Sequence, residues 1–197
     1  MAAKSKTAQV GLDYVPAAPI DGNSYGTAER THGAGINTAH SFVARRLFPV
    51  ERANSEASPW VPTCFRYDVL LPEDAPDACH DPLLLCDMFE RQAMAGLYTL
   101  GVIMTLRFAQ RDLCHAAFEL HRAFAREEFV TKRSLPVVLA MHVPQLSSRV
   151  APPHSHLVIL ARRLDGSHFG DFAKDLFDPQ ASVGCADAFR KFAKKFR

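Results

Sequence analysis

The chain has 197 residues, of which 48% are hydrophobic and 22% charged, with a formal net charge of +2. This length suits one domain with an ordinary core, and the composition excludes an intrinsically disordered chain. No apolar run approaches the roughly 18 residues of a membrane span, and no secretory signal precedes the first polar residues, so we expect a cytoplasmic protein without a membrane partner. The mild positive charge permits a nucleic-acid partner without indicating one.

The first half of the chain predicts an arm followed by short elements. Residues 1–35 are rich in small and polar residues without periodicity, so we interpret them as a flexible N-terminal arm. A single domain is then predicted over residues 36–197. It begins with a short helix over 37–48, a strand over 63–72 and a helix over 82–94.

The second half predicts the centre of a sheet. An apolar, β-branched run over 97–109 is typical of a buried strand, and a long helix capped by Asp112 follows it. Two more strands are predicted over 135–143 and 155–163, and amphipathic segments complete the chain. This order predicts an α+β fold, in which helices cover an antiparallel β-sheet mainly on one face.

Three histidines are predicted to meet at one end of the last two strands. His154 and His156 alternate along a strand, so they project from the same face about 7 Å apart. His142 ends the preceding strand, and antiparallel pairing brings it to the same place. Three imidazoles without a fourth protein ligand are typical of an open, catalytic metal centre. The sequence therefore predicts a divalent-metal site.

Several enzyme classes with similar motifs are excluded. A metalloprotease of the HxH-plus-aspartate type requires a serine and an aspartate downstream, where this chain has Leu164 and Ser167. A histidine-triad nucleotide hydrolase requires a third alternating histidine, where this chain has Val158. The HExxH, P-loop and GxSxG motifs are also missing from the sequence.

The text "LAMHVP" followed by "PPHSHLVILARRLDG" resembles the metal-binding motif of plasmid mobilisation relaxases of the MobA/MobL type, which are HUH endonucleases. The resemblance covers about residues 60–170 and includes the strand and long helix that precede His142. It implies a nicking and strand-transfer enzyme that acts on single-stranded DNA in conjugation, with relaxosome accessory proteins as partners. It also implies that His142, His154 and His156 hold Mn, Mg or Zn, while a tyrosine attacks the scissile phosphate.

The chain departs from the family pattern at the nucleophile. In the helix where the family places its tyrosine, this chain has Ser41 and Phe42. The candidates that remain are Tyr25, Tyr14 and metal-bound water. We therefore expect a covalent DNA–tyrosine adduct to form poorly or not at all.

A second departure concerns the partners of the metal ligands. Family members carry carboxylates on the strand before the long helix, and these orient a ligand imidazole through its second nitrogen. Here Gly101 and Ile103 occupy the expected positions. We therefore expect weaker metal binding, by roughly 10–100-fold.

Basic side chains are predicted to contact DNA phosphates, because Lys and Arg neutralise the backbone charge. They lie in the first helix, after the HxH strand and in the C-terminal segment. The candidates are Arg45, Arg46, Arg162, Arg163, Arg190, Lys191, Lys194 and Lys195. The alternative for the C-terminal segment is a helix that docks by its phenylalanines and leaves its lysines in solvent.

Three functions remain open. The first is a metal-dependent domain that nicks and transfers single-stranded DNA for plasmid mobilisation. The second is a non-catalytic DNA-binding or accessory module with a relaxase fold. The third is a small metalloprotein unrelated to DNA. The side chains that surround the three histidines discriminate among them.

Overall fold

A computed structural model of the chain describes residues 12–32, 35–49, 62–109, 113–147 and 149–196. Its strands are β1 (Val15–Pro16), β2 (Ser24–Glu29), β3 (Thr31–His32), β4 (Gly35–Ile36), β5 (Arg66–Leu70), β6 (Thr99–Arg107), β7 (Val137–His142), β8 (His154–Leu160), β9 (Arg162–Asp165) and β10 (His168–Phe172). Its α-helices are α1 (Ala39–Leu47), α2 (Pro82–Arg91), α3 (Cys114–Ala125) and α4 (Ala181–Lys195). Six strands form an antiparallel sheet in the order β1-β2-β6-β8-β7-β5. The predicted α+β fold is confirmed.

Local sequence signals explain where the helices begin. Thr38 caps α1 and forms a reciprocal pair of hydrogen bonds with Ser41. Asp81 caps α2 by accepting hydrogen bonds from two backbone N–H groups, and Pro82 occupies the first turn, where its missing N–H costs nothing. Helix α3 continues into a π-helical segment over Arg126–Thr131. The predicted cap of this helix, Asp112, lies outside the described residues.

Helices cover both faces of the sheet. Helices α3 and α4 pack on one face, against side chains such as Leu139 and Leu157. Helices α1 and α2 pack on the other face, against alternating neighbours such as Val138 and Val158. The expectation of helices mainly on one face is therefore wrong. The continuous apolar runs of β7 and β8 are explained by this burial, because a strand that is buried on both faces has no polar side.

The N-terminal region contributes to the sheet. Strand β2 lies inside it, paired with β6 on one side and with β1 on the other. The prediction of a flexible arm is therefore wrong for residues 15–16 and 24–29, and residues 1–11 lie outside the described part. The sequence did not indicate this strand, because its positions that face helices α1 and α2 are the small residues Gly26 and Ala28. Larger apolar residues at these positions would have shown the alternation that is typical of a strand.

The described chain shows no disulfide and no membrane-spanning helix. All five cysteines are free, three of them buried in the core. Among the described residues, no helix combines the length and hydrophobicity that crossing a membrane requires.

Because a histidine on α3 is buried, we expect the stability of the fold to decrease in acid. His121 is 2% exposed and its Nδ1 hydrogen-bonds with Ser155 Oγ at 2.9 Å. Burial lowers the pKa of His121 to about 4. Between pH 6.5 and about 4 the unfolded chain therefore binds a proton that the folded chain rejects, so the free energy of unfolding decreases as the pH falls through this window. We expect this histidine to contribute up to about 3 kcal/mol of that decrease.

The measurement is urea unfolding of the wild type and of His121→Leu near neutral pH and near pH 5. The variant is expected to lose less stability on acidification than the wild type does. Equal losses would show that His121 is not the group that titrates.

Candidate metal centre

The register of three adjacent strands brings the three histidines together. His142 on β7 lies opposite His154 on β8. His156 is paired with Ala140 of β7 on one side and with Thr105 of β6 on the other. It is two residues after His154 on β8, so its side chain lies on the same face of the sheet as that of His154. The ring centroids are 4.8 to 5.2 Å apart, and one nitrogen of each ring lies within 4.8 Å of the other two. The three imidazoles meet as the sequence predicts.

The second nitrogen of each ring is held by a hydrogen bond. His142 Nε2 donates to the carbonyl of Arg46 at 2.6 Å, and His154 Nδ1 donates to the carbonyl of Pro152 at 2.9 Å. His156 Nδ1 hydrogen-bonds with Thr105 Oγ1 at 2.9 Å. A carbonyl only accepts, so the remaining nitrogens of His142 and His154 carry lone pairs. Metal-bound histidines have the same arrangement of one liganding and one hydrogen-bonded nitrogen.

The three rings are poised in the neutral form. Burial lowers the pKa of His142 to about 4 and also lowers the pKa of His154. The pKa of His156 is lowered well below its usual value by burial and by the two neighbouring rings. Since a metal binds only the neutral ring, no proton has to leave at neutral pH. Three neutral imidazoles with held second nitrogens fit a divalent ion such as Mn, Zn, Ni or Co.

Sequence reasoning missed Thr105. It placed the orienting group at Gly101 or Ile103, but the residue opposite His156 is Thr105, further along the same face of β6. A hydroxyl therefore stands beside the ligand ring where a carboxylate was expected. Counting the antiparallel register from His156 identifies this position once the pairing of β6 with β8 is known.

We expect Thr105→Val to weaken metal binding by roughly 10–100-fold, because the ring of His156 then loses the partner that fixes its tautomer. Valine preserves the shape of the 3% exposed side chain, so the fold should be retained. Calorimetric titration with Mn²⁺ or Zn²⁺ measures the change. Thr99→Val on the same strand is the matched control, and an equal effect of both variants would contradict a role for the hydroxyl.

The three histidines line an open cleft with a volume of about 1250 Å³. The N-terminal segment forms another wall, through Asp13 and Tyr14. Arg45 and Arg46 of α1 line the cleft as well. Two of the eight predicted DNA-binding residues therefore lie beside the histidines.

Arg46 ties the N-terminal segment to the metal ligands. Its guanidinium donates to both carboxylate oxygens of Asp13 at 2.5 Å and lies 3.7 Å from the ring centroid of Phe42. Arg45 donates to Asp13 at 2.6 Å. Partial burial opposes ionisation of Asp13, but the hydrogen bonds and charges of Arg46 and Arg45 lower its pKa overall. Because the Arg46 carbonyl also holds His142, this ion pair fixes both the segment before Tyr14 and one ligand ring.

The structure separates the two candidate tyrosines. Tyr14 lines the cleft, and its ring lies over Gly26, where an added Cβ would be 2.2 Å from Tyr14 Cδ2. Tyr25 lies in the core on the opposite face of the sheet and donates a hydrogen bond to the Leu176 carbonyl at 2.6 Å. Burial strongly raises the pKa of Tyr25. The prediction that Tyr25 acts at this site is therefore wrong.

The residues in place of the family's tyrosine have structural roles. Phe42 is 1% exposed and packs in the core. Ser41 is part of the cap of α1, since its hydroxyl receives the backbone N–H of Thr38. Neither side chain offers a hydroxyl to the three histidines.

The arginines after the HxH strand lie at its far end. Arg162 is buried and donates to the carbonyls of Gly170, Gln92 and Phe169. Arg163 is exposed on the neighbouring position of β9. The full length of β8 separates both from His154, so the prediction that one of them reaches the metal face is wrong.

The basic C-terminal helix lies on the other face of the sheet. Phe189 and Phe192 of α4 pack against the core formed with α3, which is the docking alternative that the sequence left open. Arg190 forms ion pairs with Asp21 and Asp187. The remaining basic positions are exposed on the same helix: Lys191, Lys194 and Lys195. The structure does not bring them together with the histidines.

Two other arginines lie near the cluster and were missed. Arg107 ends β6 opposite His154 and lines the cleft, while its guanidinium donates to the Gly22 carbonyl at 2.7 Å. Arg149 is exposed in the connection between β7 and β8, and it lines a cavity together with His142 and His154. Strand register identifies Arg107, but no sequence signal distinguishes Arg149.

No family model and no curated protein sequence matches the chain. A solved relaxase structure, described as the molecular basis of vancomycin resistance transfer in Staphylococcus aureus, is similar in fold. The TM-score is 0.57, over 68% of this chain and 70% of that chain, at 18% sequence identity. The chain has a relaxase-like fold. The histidine motif and its surroundings predicted this fold, and the comparison confirms it. The three-histidine cluster lines the cleft of this fold.

Proposed function

We propose that this chain holds a divalent metal ion at His142, His154 and His156 and nicks and transfers single-stranded DNA in plasmid mobilisation. The observation that carries the proposal is the set of three convergent imidazoles, each with its second nitrogen in a hydrogen bond, that line an open cleft. Relaxosome accessory proteins as partners and a cytoplasmic location are part of the proposal. The relaxase-like fold supports it.

The residues of the cleft divide the chemistry among them. The three imidazoles would hold a divalent ion, which would supply positive charge to the scissile phosphate when bound. Arg107 lines the cleft, Arg149 lines the cavity that shares His142 and His154 with it, and both supply charge to the neighbouring phosphates. Tyr14 presents a phenol in the same cleft. Its oxygen loses its proton and bonds to phosphorus, and the bond from phosphorus to the 3′ oxygen breaks. The 3′ oxygen takes up a proton and leaves as a hydroxyl, while the 5′ phosphate of the other fragment stays joined to the tyrosine.

A non-catalytic DNA-binding module is the second candidate. It is favoured by α1, where Phe42 is buried and Ser41 caps the helix at the positions of the family's tyrosine. In this case the metal centre and the arginines bind a phosphate and the DNA stays intact. Metal and DNA binding are then retained without an adduct.

We test the proposal with a pool of single-stranded oligonucleotides of random sequence, labelled at the 3′ end and incubated with the full chain and Mn²⁺. The sequence alone led us to expect little or no adduct, but the proposal expects one because Tyr14 lies in the cleft with the histidines. The adduct is expected as labelled DNA that migrates with the protein on a denaturing gel and disappears when the metal is chelated. Binding to the pool is also expected to weaken steeply as salt rises, because each neutralised phosphate releases counterions.

The outcomes separate the candidate functions. Salt-dependent binding without an adduct would support the non-catalytic module. Metal binding without DNA binding at low salt would contradict both and leave a metalloprotein unrelated to DNA.

A further inference from the structure

A second cavity adjoins the metal centre, and its apolar walls are not used by the chemistry described above. It has a volume of about 440 Å³ and shares His142 and His154 with the cleft. This volume lies within the range of about 300–1,000 Å³ that is typical of small-ligand sites. A phosphate bound at the histidines would therefore lie next to this cavity.

The walls of the cavity are mainly apolar. Phe65 and Leu146 line it although they are 51% and 72% exposed, and Cys64 lies between β5 and α1 at its edge. Burial raises the pKa of the Cys64 thiol to about 11, so this side chain is neutral and adds to the apolar surface. Large apolar side chains exposed together beside a polar centre mark a binding surface. An exposed aromatic face also suits stacking of a base.

One cation stands at the same cavity. Arg149 lines it, is exposed, and forms no ion pair with any residue in the described part of the chain. An apolar cavity with one aromatic ring and one unpaired cation complements a nucleotide, which has an apolar ring joined to a negative phosphate. A protein partner with an apolar anchor would use the ring without requiring the cation.

We infer that this cavity binds one nucleobase of a single-stranded nucleic acid, stacked on Phe65, with the adjoining phosphate at Arg149. The inference rests on the proposed function, because it places a base beside the phosphate that the metal centre binds. It adds a subsite of stated chemistry, which contacts the base and not only the backbone.

The experiment compares a thymidine oligonucleotide with an abasic oligonucleotide of the same length, which carries the same phosphates without bases. Fluorescence anisotropy with the Mn²⁺-loaded full chain gives both affinities. We expect the wild type to bind the thymidine strand at least about 5-fold more tightly, the ratio that corresponds to about 1 kcal/mol for one stacked base. Phe65→Ala should lose most of this preference and keep its affinity for the abasic strand, whereas Arg149→Ala should weaken both.

Tyr98→Ala is the matched control, because Tyr98 is an exposed aromatic residue, 69% accessible, outside both cavities. Metal content is measured for every variant. Equal affinity of the wild type for both strands, or an unchanged preference in Phe65→Ala, would overturn the base site while the proposed metal and DNA functions stand. Absence of binding to either strand would overturn both proposals. The wild type could instead self-associate without a preference for bases. If Phe65→Ala abolished that self-association, the cavity would be assigned to a protein contact.

Discussion

His156→Ala is expected to abolish specific binding of one divalent ion. All three rings contact one another, and His156 lies nearest to both others: its centroid is 4.8 Å from each of theirs, whereas those of His142 and His154 are 5.2 Å apart. Removing one of three ligands is a larger change than removing a hydrogen-bond partner of a ligand, which alone costs roughly 10–100-fold in affinity. Two imidazoles also leave more positions to water. Calorimetric titration with Mn²⁺ and Zn²⁺ is expected to show one site in the wild type and none in the variant at the same concentrations.

The control for this variant is His168→Ala, which removes an exposed imidazole from β10. Circular dichroism of each variant checks that the sheet is intact. Unchanged stoichiometry in His156→Ala would contradict the three-histidine site, and loss of binding in both variants would show that the titration reports surface histidines instead.

The core of the site was predictable because two strong rules meet there. Side chains alternate along a strand, so His154 and His156 had to share a face. A strand that ends in His142 and then returns in antiparallel register had to bring that ring to the same end. Long apolar runs also identified β6, β7 and β8 as the centre of the sheet.

The surroundings of the site depended on register and on contacts distant in sequence. Thr105 was invisible until the pairing of β6 with β8 was fixed, since a shift of one residue would turn it to the other face. The ion pair of Asp13 and Arg46 joins residues that are 33 positions apart, and neither has a local signature. The prediction for Arg162 was wrong because the carbonyls that it binds belong to β10 and to the loop after α2. No local sequence pattern indicates these contacts.

The two tyrosines show the same limit. The sequences around both tyrosines are rich in small residues, so no local pattern indicated which tyrosine lies in the cleft and which in the core. Pairing of Tyr25 with Met104 turns Tyr25 towards α3 and α4, whereas Gly26, the next residue, leaves room for the ring of Tyr14 on the histidine face. The structure thus reduces the tyrosine candidates to one in the cleft, and that choice has a direct test.

Tyr14→Phe is expected to eliminate the covalent DNA adduct while leaving metal and DNA binding within about 2-fold of the wild type, because it removes one hydroxyl and keeps the ring that packs on Gly26. The reason for so large an effect is that the phenol oxygen is the atom that bonds to phosphorus. The assay is the 3′-labelled DNA pool with Mn²⁺, followed by denaturing electrophoresis, with anisotropy and calorimetry on the same preparations.

Tyr25→Phe is the matched control, since it removes a tyrosine hydroxyl on the other face of the sheet. It leaves the Leu176 carbonyl without this donor, so we expect a loss of about 1 kcal/mol in the free energy of unfolding and an unchanged adduct. An adduct that persists in Tyr14→Phe would refute Tyr14 as the nucleophile. DNA cleaved by the wild type without an adduct would show that water attacks the phosphate in place of a side chain. If the wild type binds metal and DNA and forms neither product, the buried Phe42 and the capping Ser41 mark a relaxase-like fold that binds its strand without cutting it.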